Sequence, residues 1–186
     1  MAGNPRKPLH PQRAVALLRG INVGKAKRVA MADLRALMED LDCREVRTLL
    51  NSGNVVFTAA KPLTAARIEA ALLARCGVQA RATMIDAADF EAIVTGNPFA
   101  DRATDPSRLL VAFLNQGADL HALAGRDWTP EALALGSGAA YLWCAGGVLA
   151  SPLWDAVNRV AREGVTSRNW TTVLKLQAML KDRSPV

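Results

Sequence analysis

The sequence predicts an α+β fold, with a ferredoxin-like (split βαβ) amino-terminal half packed against a smaller, related α+β carboxyl-terminal half. Three observations lead there. Short runs of bulky or β-branched residues alternate with amphipathic stripes in the order β-α-β-β-α-β over the first half. Two glycine-bearing stretches, Arg19-Gly-Ile-Asn-Val-Gly24 and Asn51-Ser-Gly-Asn54, each follow such a run. A second hairpin signal, Gly136-Ser-Gly138, recurs later in the chain.

Each element has its own signal. Residues 1–13 hold three prolines and three cations with no apolar h-region, so they read as a disordered basic tail and not as a secretory signal. Residues 14–18 form an apolar run that ends at Arg19-Gly20, a strand followed by a loop. Met31, Leu34, Leu37, Met38 and Leu41 fall on one helical stripe. Residues 46–50 and 55–58 read as strands joined by the 51–54 turn, with Gly53 or an asparagine supplying the left-handed conformation. Thr64 can N-cap a helix running to Cys76, with Gly77 just past its end. A strand over 78–85 follows, then a helix that starts at Asp86 and is stopped by Gly96-Asn-Pro98.

Residues 99–106 are polar and read as the join between two subdomains, 14–98 and 107–182. The second opens with a strand over 108–114 and a short helix over 118–124. A hairpin of 133–135 and 139–144 comes next. Ser151 followed by Pro152 predicts a capped helix to about residue 163. Gly164 ends it, and Ser167 is placed to cap a last helix over 168–180, giving β-α-β-β-α-α. The topology of the first half carries a geometric consequence. Its first two strands run parallel, so the 20–28 loop and the 51–54 turn must emerge at one end of the sheet.

Composition bounds the function. With 51% hydrophobic and 22% charged residues, the chain of 186 reads as globular. The apolar runs are too short for a membrane helix. Cys43, Cys76 and Cys144 are odd in number and widely spaced, which suits reduced thiols in a cytoplasmic protein. The net charge of +6 is unevenly placed. Seven cations precede the first acid, Asp33, while the rest of the chain holds 16 cations against 17 acids. The basic character therefore belongs to the tail and the first glycine loop, where it can attract an anionic partner.

Three stretches carry a family resemblance. They are Leu18-Arg-Gly-Ile-Asn-Val-Gly24 with Met31-Ala-Asp-Leu-Arg35, then Asn51-Ser-Gly-Asn-Val-Val-Phe57, then Ser167-Arg-Asn-Trp-Thr-Thr-Val173. In that order they resemble a bacterial family known as domain of unknown function 1697, and the likeness spans residues 14–180. The chain departs from the family pattern at Lys25, where a second glycine is usual, and at Pro152, where a lysine usually follows the serine. The resemblance implies a fold and brings no established activity.

The residues themselves point to a ligand-binding end of the sheet. A strand, a glycine loop and a helix start can turn backbone N–H groups toward an oxyanion. Arg19, Gly20, Asn22, Gly24, Lys25, Lys27 and Arg28 would meet Ser52, Gly53 and Asn54 around a phosphate-bearing or other anionic small ligand. Arg168, Asn169 and Trp170 are secondary candidates at the start of the last helix. The structural alternative is equally concrete. Gly20 and Gly24 shape a tight crossover, the 51–54 residues satisfy their own turn, and Trp170 docks its helix onto a sheet.

Neither a P-loop nor a dinucleotide fingerprint is present. The only histidines are His10 and His121, which argues against His-based metal sites and Ser-His-Asp triads. No cofactor is implied and no catalytic constellation is recognisable, which leaves open whether any reaction is catalysed. Three other readings stand beside the anion site. They are an electrostatic nucleic-acid binder without aromatic support, an enzyme that uses neither histidine nor metal, and a homodimer paired through sheet edges.

Overall fold

A computed structural model describes residues 12–22, 28–101, 104–115 and 118–182. Its elements are β1 (Gln12–Arg19), α1 (Met31–Asp40), β2 (Cys43–Leu49), β3 (Asn54–Ala59), α2 (Ala65–Cys76), β4 (Arg81–Asp86) and α3 (Ala87–Thr95) in the first half. The second half holds β5 (Leu109–Leu114), α4 (His121–Ala124), β6 (Ala132–Leu135), β7 (Ala139–Trp143), α5 (Pro152–Ala161), β8 (Val165–Asn169) and α6 (Trp170–Lys181). The fold is mixed α/β, with two four-stranded antiparallel sheets ordered β2-β3-β1-β4 and β6-β7-β5-β8. Renumbered from its own first strand, the second sheet has the strand order of the first.

Local signals place most elements. Thr64 accepts a hydrogen bond from the Arg67 amide to cap α2, and Gly77 ends that helix at φ 62°. The Ser151 hydroxyl accepts from the Trp154 amide at 3.0 Å to cap α5, with Pro152 in its first turn. Gly53 takes φ 76° in the β2–β3 turn, and Gly138 takes the same φ in the β6–β7 turn. β2 begins at Cys43, earlier than residue 46, because a bulge at Glu45 lets the strand resume its pairing at Arg47.

Further boundaries and one element differ from expectation. β1 begins at Gln12, so Gln12 and Arg13, assigned above to the tail, are strand residues; residues 1–11 lie outside those described. The strand expected over 78–85 is shifted to 81–86, the 118–124 helix shrinks to four residues, and α5 stops at Ala161 with a 3-10 turn carrying the chain to Gly164. The larger correction concerns residues 165–169. They were expected to end a turn and start a helix capped by Ser167, but they form β8, and Asn169 caps α6 by accepting from the Thr172 amide at 3.0 Å. β8 pairs with β5 from Leu110 to Leu114, so the second half reads β-α-β-β-α-β-α.

Both faces of the first sheet are covered. One packs on α1 and α2 through Leu34, Leu37, Met38, Ile68 and Leu72. The other contributes Val15, Leu17 and Val56 to a central core shared with Phe90 and Ile93 of α3, Trp170, Val173 and Leu176 of α6, and Val111, Phe113 and Tyr141 of the second sheet. Trp170 is thus a core residue, as a docking tryptophan should be. A third cluster lies under α4 and α5. Burial raises Cys43 to about 11, with nearby Asp42 adding to the shift, and raises the Cys144 thiol too. All three cysteines are unbridged.

The two sheets are also stitched by polar contacts. The C-terminal carbonyls of α6, which lack partners within the helix, accept hydrogen bonds from the first sheet. Arg13 donates to the Met179 and Asp182 carbonyls at 3.2 and 2.6 Å. Arg47 donates to the same two carbonyls and to the Asp182 carboxylate. Between β4 and β8 the Thr83 hydroxyl donates to that of Thr166 at 3.0 Å, both side chains being buried.

Candidate functional site

β1 and β2 both run antiparallel to β3, so they point the same way and their ends share one edge of the molecule. The turn at 51–54 and the start of the 20–28 loop sit side by side there. The Leu18 amide donates to the Gly53 carbonyl at 2.7 Å, and Asn22 donates from Nδ2 to the Asn51 carbonyl at 2.9 Å. The approach of the turn is close enough that a Cβ on Gly53 would stand 2.7 Å from Leu18 Cβ and Ile21 Cδ1.

Asn22, at φ 54°, holds the base of the first loop. Its Oδ1 accepts from the Val29 amide at 2.8 Å, and its Nδ2 donates to the Val29 carbonyl at 3.0 Å as well as to Asn51. Gly20, at φ 86°, supplies the left-handed step that leaves β1. Gly24, Lys25 and Lys27, expected at the centre of the site, lie outside the described residues, and Arg28 is exposed beside them.

Arg168, a secondary candidate on the sequence, is the side chain around which this end is built. It projects from β8 into the first sheet. From Nε it donates to Asn54 Oδ1; from Nη2 it donates to the Leu18 carbonyl at 2.8 Å and the Ser52 carbonyl at 3.1 Å. Nη1 reaches its neighbour, the Ser167 carbonyl, at 2.7 Å. Asn54, completely buried, is fixed by its own Nδ2, which donates to the Leu49 carbonyl and to Ser52 Oγ, both at 2.9 Å. The three stretches singled out in the sequence therefore converge on one guanidinium. Every acceptor is a neutral oxygen. Burial without a counter-charge lowers Arg168 to about 10.

Arg19 stands next to it. Its Nη1 donates to the Arg162 and Val165 carbonyls at 2.7 and 2.9 Å, which ties β1 to the 3-10 turn before β8. Among the described residues neither Arg19 nor Arg168 has a carboxylate within 4.0 Å. Arg81, one strand away, is different, being paired with Glu163 at 2.8 Å and Glu69 at 3.4 Å. Between Arg19 and Arg168 lies a cleft of about 130 Å³, lined also by Ser167 and by Trp154 and Asn158 of α5. Sequence reasoning missed Trp154 and Asn158, which enter only because α5 folds over the edge of β8. Asn169 and Trp170 do not line this cleft; they cap and bury α6.

Among the described residues no group of His, Cys, Asp and Glu is arranged to hold a metal ion, and no helix is long and apolar enough to cross a membrane. No curated protein matches the chain. Its structure is similar to that of a conserved bacterial protein from Streptococcus pneumoniae, with a TM-score of 0.77 and 26% sequence identity over 93% of this chain and 100% of that one. The family model described as "Protein of unknown function (DUF1697)" matches residues 12–141, well over half the sequence, and the chain belongs to that family.

Proposed function

We propose that the protein binds the anionic group of a small molecule, a phosphate or a carboxylate, in the cleft between Arg19 and Arg168. One observation carries the reading: two adjacent guanidiniums, one of them largely buried, face a common cleft, and among the described residues no carboxylate pairs with either. An unbalanced buried cation is costly, and an anion with good hydrogen-bond geometry offsets that cost. Arg168 has one N–H of its Nη1 left after four hydrogen bonds, and Arg19 keeps its Nε and Nη2 groups. The Ser167 hydroxyl and the Asn158 amide complete a neutral donor set. Arg28 at the edge of the first loop would add attraction at longer range. We read each half as a ferredoxin-like unit, a reading supported by the shared strand order and antiparallel pairing, with subdomains over 14–98 and 107–182.

Titration calorimetry with inorganic phosphate and with acetate, at about 50 mM salt to limit screening, tests the reading. Saturable binding that Arg19→Gln weakens about tenfold, as loss of a charge-assisted hydrogen bond requires, supports it. Absence of heat with either anion, or binding that is indifferent to Arg19→Gln and Ser167→Ala, overturns it. A short oligonucleotide run in parallel, bound steeply with salt while phosphate is not, would assign this end to a nucleic-acid backbone and overturn the small-ligand reading.

A further inference from the structure

The two halves repeat one order of elements and one strand order and meet at the Thr83–Thr166 contact, and the register shows which residues correspond. Leu17 pairs with Asn54 and the Leu18 amide donates to Gly53; Phe113 pairs with Ala139 and the Leu114 amide donates to Gly138 at 3.0 Å. On the other edge Leu18 pairs with Ala82 and Leu114 with Val165. Ser137 thus corresponds to Ser52, Thr166 to Thr83, Arg168 to Ile85 and Trp170 to Ala87. The helix caps agree with this register, since Asp86 precedes α3 as Asn169 precedes α6.

In the first half, the frame made by the Leu18 and Ser52 carbonyls is filled by the Arg168 guanidinium. In the second half the position of Arg168 is taken by Ile85, whose side chain cannot donate, and Ile85 lines one cavity with Leu114 and Ser137. A cavity of about 530 Å³ opens there between β4, α3 and the β6–β7 turn. That volume lies within the range of about 300–1,000 Å³ typical of small-molecule sites. Its floor is apolar, formed by Ile85, Ile93 and Leu114, and the Tyr141 hydroxyl is turned into the protein to donate to the Ile93 carbonyl at 2.7 Å. Among the described residues, Asp89, at the rim, is the one carboxylate in the lining, and no lysine or arginine lines the cavity.

We propose that this second cavity binds a small molecule with a guanidinium or ammonium head on an apolar body, the head taking the place that Arg168 occupies in the other half. The carbonyl frame supplies acceptors for N–H donors, Asp89 supplies the opposite charge, and the Ile85–Ile93 floor takes the apolar part. This site is separate from the Arg19–Arg168 cleft and of opposite charge preference, so the two stand or fall independently.

The probe is benzoyl-arginine amide, measured by calorimetry against its neutral isostere benzoyl-citrulline amide. The expected result is saturable binding of the arginine compound, weakened about tenfold by the change to citrulline and by Asp89→Asn. Ala92→Phe, a helix-surface substitution on the cavity wall, should abolish binding while circular dichroism and the thermal midpoint stay at wild-type values. Equal binding of both compounds, persistence of binding in Ala92→Phe, or no binding of the arginine compound at millimolar concentration would each overturn the proposal.

Discussion

Arg168 donates from Nη2 to the Leu18 carbonyl at 2.8 Å, and that contact joins the edge strand of one sheet to the central strand of the other. Asn54 and Ser52 accept from the same guanidinium, so three segments distant in sequence are fixed by one planar group. Lysine cannot reproduce this. Its ammonium is a point charge with no planar fork, and it would leave Asn54 Oδ1 or one of the carbonyls without its donor in a partly buried network. Arg168→Lys should therefore lower stability by about 2 kcal/mol, the scale of a hydrogen bond to a charged group that is lost within a buried network. The check is the urea midpoint at unchanged slope. A wild-type midpoint would mean that Arg168 holds nothing together.

The two turn glycines give a controlled comparison. Gly53 and Gly138 share φ 76°, yet a Cβ on Gly53 would meet Leu18 and Ile21 at 2.7 Å, whereas on Gly138 its nearest neighbour is Ile93 Cδ1 at 4.0 Å. Alanine at either position incurs the left-handed backbone cost of about 1 kcal/mol. Only Gly53→Ala adds steric conflict with packed side chains, an overpacking cost of about 1–3 kcal/mol. Thermal unfolding should show Gly53→Ala lowered by at least twice as much as Gly138→Ala. Equal losses would show that the space around Gly53 yields freely.

How far the sequence goes depends on the range of each signal. The turns were legible because Gly53 and Gly138 need nothing beyond their flanking strands to be read as hairpins, and Thr64, Gly77, Ser151 and Pro152 act within one helical turn of themselves. β8 was not legible. Val165-Thr-Ser-Arg-Asn169 carries a single apolar residue, and it is a strand because the edge of β5 requires a partner that only the tertiary fold delivers. The missing strand also hid the repeat of topology, since without it the halves end differently. At the candidate site, the side-by-side placement of the two turns followed from strand direction alone. The dominance of Arg168 did not, because its acceptors are backbone carbonyls at residues 18 and 52, and no residue spacing encodes them. Asn22 illustrates the same limit in reverse: its side chain is engaged by Val29 and Asn51, a structural duty that its residue type shares with a ligand contact.

The contact between Thr83 and Thr166 lies where the corresponding strands of the two halves meet, and its energetics should be asymmetric. Both side chains are buried, at 4% and 2% exposure, and each hydroxyl is the other's partner at 3.0 Å. Thr83→Val or Thr166→Val preserves shape but leaves one largely buried hydroxyl without its partner, costing about 1–2 kcal/mol. Removing both replaces a satisfied polar pair by two methyl groups of the same outline, which is close to neutral for stability. A double-mutant cycle from urea unfolding should therefore give a double variant more stable than either single one, with a coupling of about 1 kcal/mol or more. Simple additivity of the two losses would show that the hydroxyls find other partners, and that the halves are held at this point by packing alone.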